Sequence, residues 1–242
     1  MSHEPVLSAT GIGVVLGGMR VLDGVDVAVR PGAVVGVLGA SGAGKSTLFR
    51  AIAGELPLSA GRVVLSGVDV TGLPLWKRAR AGLGYVPQGP SVLLDLSVSE
   101  NISTFERAAR VAPRTAQERA QAVELEQHLD VRARDLSGGE RRRLELLRAF
   151  IGDPAVLVCD EPFAAGDPVH VRALAALLRA HADRGRGVLI ADHRMHDALS
   201  ICDDALFLSE GRVIASGPDR GPPGRSRRVP GGCVRPPRGA RR

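Results

Sequence analysis

The chain has 242 residues, of which 44% are hydrophobic, 24% charged and 3% aromatic, a profile typical of a globular protein with an aliphatic core. No apolar run reaches the length of about 18 residues that a membrane-spanning helix needs, and we expect no secretory signal at the N-terminus. Three scattered cysteines favour a reducing compartment over a disulfide framework.

The formal charge of +6 arises in one segment. Residues 217–242 hold eight arginines and one aspartate, a net charge of +7, which leaves −1 for residues 1–216. The nearly neutral body therefore indicates no specific nucleic-acid partner.

The first predicted elements surround a glycine-rich segment. Residues 21–30 alternate in hydropathy, which predicts an edge strand with one solvated face. Pro31-Gly32 ends that strand, and the short apolar run at 33–38 predicts a strand buried on both faces. Residues 47–53 have helical spacing and end at Gly54. The segment GASGAGKST thus lies between a buried strand and the start of a helix.

This segment fits the pattern G-x-x-x-x-G-K-[ST], which predicts a phosphate-binding loop. Its glycines let the backbone curl so that N–H groups point inward at a helix N-terminus. Lys45 is one of only two lysines among 32 basic residues, and a compact ammonium fits between phosphate oxygens better than a planar guanidinium does. The residues expected to hold phosphate are Gly39, Ala40, Ser41, Gly42, Ala43, Gly44, Lys45, Ser46 and Thr47, with the Ser46 hydroxyl also available to Mg²⁺.

The remaining chain alternates between strand and helix patterns, with one helical interruption. Residues 97–134 lack strand signals, and residues 114–134 form a charged amphipathic helix pattern. Alternating strands and helices predict a largely parallel sheet with helices on both faces, into which a helical subdomain is inserted at about 97–153. The predicted strands are 62–65, 83–86, 155–159, 187–191, 205–208 and 212–215, and the later helices are 168–183 and 195–201.

Two carboxylates follow the apolar strand at 155–159. In α/β proteins the carboxyl ends of such strands are where ligands bind. Asp160 can therefore hold Mg²⁺, and Glu161 can polarise an attacking water. Together with the phosphate loop, these residues predict a site for a nucleoside triphosphate.

The string LSGGE at 136–140 immediately precedes another helical pattern, so it forms a second helix N-terminus suited to an anion. Beside the phosphate loop, this string resembles the signature motif of ATP-binding cassette ATPases. The resemblance covers about residues 6–216. Tyr85-Val86-Pro87-Gln88 is similar to the glutamine loop of that family, Gly166-Asp167 to its aspartate loop, and His193 to its switch histidine.

The resemblance implies a fold and a mechanism. The implied fold is an α/β P-loop NTPase with a mainly parallel core sheet, an N-terminal antiparallel β portion and an inserted helical subdomain, in a cassette domain spanning 1–216. ATP and Mg²⁺ are the implied cofactors. Two subunits pair head to tail, so the phosphates of each ATP also meet Ser137, Gly138 and Gly139 of the other subunit. Because one set of motifs is present, two copies of the chain are implied.

Catalysis is implied to rest on Glu161, His193 and Gln88, and the metal to be held by Ser46, Gln88 and Asp160. Residues 87–97 would line a groove for integral membrane subunits, which places the protein on the cytoplasmic face of the membrane. Leu16 departs from the pattern of the family, which has an aromatic ring there against adenine. A non-hydrolysing regulatory subunit is disfavoured by Glu161 and His193.

Longer strings point to a subgroup. LPLWKRARAGLGYVPQ, LSGGERRRLE, DEPFAAGDP and VLIADHRMHDAL resemble the ATPases of lipopolysaccharide export and, next, those of branched-chain amino-acid importers. A soluble cassette ATPase acting on nucleic acid or ribosomes is a further alternative, although such proteins usually carry two cassettes or a long coiled-coil insertion.

The segment 217–242 is rich in Pro, Gly and Arg and poor in apolar residues, which predicts disorder. It is either a passive extension or a contact for anionic lipid or RNA. The helical ending expected from the family is absent from this segment.

Overall fold

The computed structural model describes residues 4–163, 168–192 and 199–218. The strands are β1 (Leu7–Leu16), β2 (Met19–Val29), β3 (Val34–Leu38), β4 (Ala60–Leu65), β5 (Val68–Asp69), β6 (Leu83–Val86), β7 (Val156–Asp160), β8 (Gly187–Ala191), β9 (Asp204–Ser209) and β10 (Arg212–Pro218). The helices are α1 (Lys45–Ala53), α2 (Leu75–Arg80), α3 (Val98–Ala109), α4 (Ala116–Gln121), α5 (Gly138–Phe150) and α6 (Pro168–Asp183), with short 3₁₀ turns at Glu126–His128 and Ala133–Asp135.

The strands form two sheets. An antiparallel sheet has the order β2-β1-β4-β5, and a larger sheet has the order β10-β9-β3-β8-β7-β6. Every pairing in the larger sheet is parallel except that between β9 and β10. The predicted fold class is therefore confirmed, including the buried strand β3 and the edge strand β2, in which Val25, Val27 and Val29 are buried.

Two apolar layers cover the larger sheet. The antiparallel sheet and α1 pack on one face through side chains such as Leu48, Phe49 and Ile52. On the other face, α6 and part of α5 pack through Leu174, Leu178 and Leu146. A third cluster fills the space among α3, α4 and α5, including Ile102 and Leu125. Among the described residues, no helix combines the length and the apolar character needed to cross a membrane.

The single helix predicted at 114–134 is wrong. The helix α4 ends after one and a half turns, and Glu124 adopts a left-handed conformation with φ of 56°. The chain then turns back, so that Ser99 N–H donates to the Leu129 carbonyl at 3.0 Å and Val98 N–H donates to the Val131 carbonyl at 3.0 Å. The turn brings Leu125 into the apolar cluster, which a straight amphipathic helix could not do as well.

Three helices of this region start at matching capping boxes. Ser97 and Glu100 cap α3, Thr115 and Glu118 cap α4, and Ser137 and Glu140 cap α5. In each case a hydroxyl accepts from the third amide of the helix while the carboxylate accepts from the N-cap amide. The helix predicted at 195–201 lies largely outside the described residues, as does the segment 217–242 beyond Pro218.

Candidate active site

The phosphate loop connects β3 to α1 and depends on glycine at two positions. Gly39 has φ of 156°, and a Cβ there would lie 2.3 Å from the Leu208 carbonyl oxygen. Gly44 is the N-cap of α1 with φ of 104°, and a Cβ there would lie 2.9 Å from the side chain of Leu22. A side chain at either position would force the loop away from β2 and β9.

The N-terminus of α1 is open. Gly44 supplies no side-chain cap, and the first intrahelical bond runs from Leu48 N–H to the Gly44 carbonyl at 2.9 Å. The amides of Lys45, Ser46 and Thr47 come before that bond, so they have no acceptor within the helix and point outward from its N-terminus. The positive end of the helix dipole lies at the same place. Lys45 Nζ donates to the carbonyls of Gly39 and Ala40 at 2.7 and 2.9 Å, which holds the ammonium across the loop.

Asp160 ends β7 at the same edge of the sheet. The registers pair Val37 with Ala191 and Asp160 with Ala191, so the carboxyl ends of β3, β8 and β7 are level. The Asp160 residue is 2% exposed, and its Oδ1 has no hydrogen-bond partner within the described part of the chain. Burial raises the pKa of this carboxyl, while a hydrogen bond from Ser46 acts in the opposite direction.

These features fit a divalent cation. A buried carboxylate oxygen without a partner is costly unless a cation or donor satisfies it. An oxygen donor set of Asp160 and the Ser46 hydroxyl is of the kind that Mg²⁺ prefers. The two residues therefore suit the metal role assigned to them from the sequence.

Glu161 and Gln88 meet beside Asp160. Gln88 Nε2 donates to Glu161 Oε2 at 3.1 Å, although the residues are far apart in the chain. A cavity of about 190 Å³ opens here, lined by Gln88, Pro90, Gly138, Arg141, Arg142, Glu145 and Glu161. That volume can hold several water molecules, so water has access to the Glu161 carboxylate.

The signature residues lie at the N-terminus of α5 on the protein surface. Ser137 and Gly138 are exposed, and Gly139 is half-buried. Ser137 Oγ accepts from Glu140 N–H at 3.3 Å, and Glu140 Oε2 accepts from Ser137 N–H at 2.8 Å. These hydrogen bonds with Ser137 lower the pKa of the Glu140 carboxyl, which is therefore ionised at neutral pH.

The structure brings most of the predicted site residues to one edge of the larger sheet. The phosphate loop, Asp160, Glu161 and Gln88 lie together there. Ser137–Gly139 lie at the N-terminus of α5, where Gly138 borders the cavity that Gln88 and Glu161 also line. His193 and the predicted aspartate loop at Gly166-Asp167 lie outside the described residues.

One residue at this site was missed by the sequence reasoning. Arg142 lies in a run of three arginines that predicts an exposed helix face, yet it is 6% exposed and contacts the backbone of Asp160 and Glu161. The available signal was Glu145, a carboxylate three residues later among leucines, which indicates a buried ion pair on one helix face.

Comparisons with known proteins agree with this geometry. Residues 22–164 match the family model described as ABC transporter. The chain is 42% identical over 197 residues to the lipopolysaccharide export system ATP-binding protein of Acidithiobacillus ferridurans, covering 80% of this chain and 82% of that one. It is 37% identical to the protein of the same description from Escherichia coli K12, covering 87% and 90%. A solved nucleotide-free ATP-binding cassette from an ABC transporter superposes with a TM-score of 0.80 at 26% identity, covering 88% and 91%.

Proposed function

The chain belongs to the ATP-binding cassette transporter family as an ATP-binding and ATP-hydrolysing subunit, and from that premise we propose that it powers lipopolysaccharide export. The observation that carries the cargo assignment is the 42% identity to a lipopolysaccharide export ATP-binding protein across most of both chains. The relative from Escherichia coli K12, with the same described role, supports the assignment over an even larger share of its own length.

The proposed nucleotide site uses the open end of α1. Amides of the phosphate loop and Lys45 bind the phosphates of ATP, since a helix N-terminus with free N–H groups favours anions. Ser46 and Asp160 hold Mg²⁺, and Gln88 lies close enough to Glu161 to share in that site. When bound, Mg²⁺ neutralises charge on the phosphate oxygens.

Glu161 is proposed as the group that polarises the attacking water. Its carboxylate borders the cavity of about 190 Å³ and accepts from Gln88, which fixes its orientation. His193, proposed to hydrogen-bond the γ-phosphate or the water, lies outside the described residues. Glu161→Gln should lower turnover by about 10²-fold or more with ATP binding retained, on the scale of a lost general base. Turnover at the parent rate in this variant would contradict the role.

A second copy of the chain is proposed to complete the site. Ser137 and Gly138 are exposed at the start of α5, where an incoming ligand can reach the Gly138 amide and the Ser137 hydroxyl, while the Ser137 amide donates to Glu140. The γ-phosphate of ATP held by one copy would then contact two helix N-termini at once, one from each copy.

The proposed docking surface for membrane subunits is the segment at 87–97. Leu93 and Leu94 are 41% and 40% exposed and adjacent in the chain, so together they offer an apolar surface to a partner. The buried Asn101 fixes the backbone of this segment, since its amide donates to the carbonyls of Leu93, Leu96 and Ser97 and its Oδ1 accepts from Leu93 N–H at 2.8 Å, and the Leu94 carbonyl accepts from Arg134 N–H at 3.0 Å. The protein would act at the cytoplasmic face of the membrane.

Co-purification from solubilised membranes of the source organism tests the proposal. A tagged chain is expected to bring down integral membrane subunits together with lipopolysaccharide. A Leu93→Asp/Leu94→Asp variant should lose those partners and keep basal ATP hydrolysis. Recovery of an amino-acid permease, or of no membrane protein at all, would overturn the export assignment and leave the ATPase assignment untouched.

A further inference from the structure

Arg142 is a buried arginine on α5 whose guanidinium joins three separate segments. Its Nη1 donates to the Pro87 carbonyl at 2.8 Å and to Glu145 Oε2 at 2.7 Å. Its Nη2 donates to the carbonyls of Asp160 and Glu161 at 2.6 and 3.0 Å. One side chain therefore ties α5 to the ends of β6 and β7.

The two backbone segments held by Arg142 carry the two side chains that meet at the site. Pro87 immediately precedes Gln88, and Gln88 Nε2 donates to Glu161 Oε2 at 3.1 Å. The fork of the guanidinium thus sets the distance between the peptide before Gln88 and the peptide of Glu161. The pairing of β6 with β7 ends at Val86 and Cys159, so Arg142 adds a hydrogen-bonded link between the two segments just beyond the paired strands.

The Glu161 backbone needs such support. It has φ of 51°, a left-handed conformation that residues with a side chain rarely adopt. Such conformations persist where surrounding contacts fix them. Glu161 N–H donates to the Ala191 carbonyl at 2.7 Å, and its own carbonyl accepts from Arg142. Both the N–H and the carbonyl of Glu161 are therefore hydrogen-bonded, and Arg142 is the donor to the carbonyl.

We propose that Arg142 is a positioning residue for ATP hydrolysis, which fixes Glu161 and Gln88 in one arrangement relative to each other. The inference rests on the role proposed above for Glu161. Within the described residues, the hydrogen bonds of Arg142 reach Pro87, Glu145, Asp160 and Glu161 and none reaches the phosphate loop, so we expect its loss to change the chemical step far more than nucleotide affinity.

Glu145 extends the link toward the docking segment. It pairs with Arg142 through Oε2, and its Oε1 accepts from Ser91 N–H at 3.2 Å. Its residue is 4% exposed, so the pairing with Arg142 also keeps a buried carboxylate from standing alone. A displacement of the segment around Ser91 would thereby reach the peptide of Glu161 through two charged side chains.

Arg143 offers a matched control on the same helix. Its side chain is 8% exposed, against 7% for Arg142. Its Nη1 donates to Glu124 Oε2 at 3.0 Å, in the region of α4 and not at Gln88 or Glu161. Alanine at either position removes a buried guanidinium from α5, so the difference between the two variants isolates the contacts with the site.

Steady-state ATP hydrolysis and thermal unfolding of both variants test the inference. Arg142→Ala should lower kcat by about 10- to 100-fold relative to Arg143→Ala, the scale of a catalytic group displaced by about 1 Å. Its KM for ATP should stay within about threefold of the parent, because uniform binding is unchanged. Arg142→Lys should recover the unfolding midpoint by pairing with Glu145, while kcat stays low because an ammonium lacks the fork that spans both loops.

Two results would overturn the inference: equal kcat for Arg142→Ala and Arg143→Ala, or a return of both kcat and the unfolding midpoint to parental values in Arg142→Lys. If Arg142→Ala does not fold, Arg142→Lys decides alone. Glu161→Gln is measured in parallel. A parental rate in that variant refutes the role of Glu161 itself, whereas a loss there with no effect at Arg142 refutes only the positioning role.

Discussion

The N-termini of α1 and α5 are both suited to bind an anion, but only one of them is ready to do so. The α1 end has a glycine cap, no side-chain capping bond and a lysine held across the loop. The α5 end is closed by its own capping box, with the Glu140 carboxylate on the Ser137 amide at 2.8 Å. The open α1 end can accept a phosphate directly, whereas at the α5 end a phosphate has to compete with the Glu140 carboxylate for the Ser137 amide. This difference fits the proposal that each copy binds ATP at its α1 end and that the α5 end of a second copy completes the site.

The largest effect is expected from a block at the α5 end. Ser137→Arg should abolish turnover, because a long side chain would occupy the space where the ATP of a second copy approaches, while binding of ATP to the α1 end should survive. Fluorescent-nucleotide titration and phosphate release measure the two properties. Thr115→Arg is the control, since it removes an equivalent exposed N-cap hydroxyl from α4 and costs similar helix stability. Normal turnover in Ser137→Arg would show that α5 takes no part.

The next effect is expected at the α1 end itself. Lys45→Ala should weaken ATP binding by about 10- to 100-fold, because a hydrogen bond to a charged group contributes about 1.5–3 kcal/mol. Calorimetric titration measures the affinity. Lys77→Ala is the control, since the only other lysine is exposed on α2 against Trp76. Equal ATP affinities for the two variants would contradict the proposal that the phosphate loop binds ATP through Lys45.

A smaller effect is expected where the base would lie. Leu16 ends β1 and is half-buried, so it can pack on a purine without ring stacking. Leu16→Tyr should tighten ATP binding by about fivefold or more, the lower end of the 1–3 kcal/mol that aromatic stacking contributes. Val15→Tyr places the ring on the opposite face of the strand and should change nothing. A parent already selective for ATP over GTP, and unchanged by Leu16→Tyr, would mean that another residue holds the base.

The smallest effect is expected from Glu140, whose carboxylate distinguishes the capped α5 end from the open α1 end. Glu140→Gln keeps the capping box but removes its charge. In a Glu161→Gln background, the ATP concentration at half-maximal dimerisation should fall about two- to fivefold, since a charge at a helix N-terminus is worth about 0.3–1 kcal/mol. Light scattering across an ATP titration gives this value. A higher requirement for ATP would show that the carboxylate assists the second copy instead of competing with the phosphate.

The strand, glycine-rich loop and helix around the α1 end were predicted from the sequence because the residues that form them are adjacent in the chain. Glycines at the required spacing, one lysine and an apolar run before the loop are visible without any knowledge of tertiary contacts. The same holds for Asp160 and Glu161, which follow a run of buried residues. The meeting of Gln88 with Glu161 was not predictable from the residues themselves, since it depends on how β6 and β7 pair.

Other parts of the fold were missed for physical reasons. No strand was predicted for β1, where the buried positions change from Leu7 and Ala9 to Ile12 and Val14, because Gly11 with φ of 63° shifts the alternation by one residue. The region at 114–134 looked like one helix because its charges are regularly spaced, but the turn after the left-handed Glu124 is fixed by hydrogen bonds of Leu129 and Val131 with the start of α3, and Glu124 itself pairs with Arg143 of α5. The burial of Arg142 is likewise decided by backbone acceptors from distant segments.

Light scattering of the purified Glu161→Gln protein, with and without Mg-ATP, tests most directly the claim that the site is completed by two copies. The account predicts a monomer without nucleotide and a dimer at saturating Mg-ATP, with Ser137→Arg in the same background remaining a monomer under both conditions. A Glu161→Gln protein that binds Mg-ATP and stays monomeric would contradict the claim.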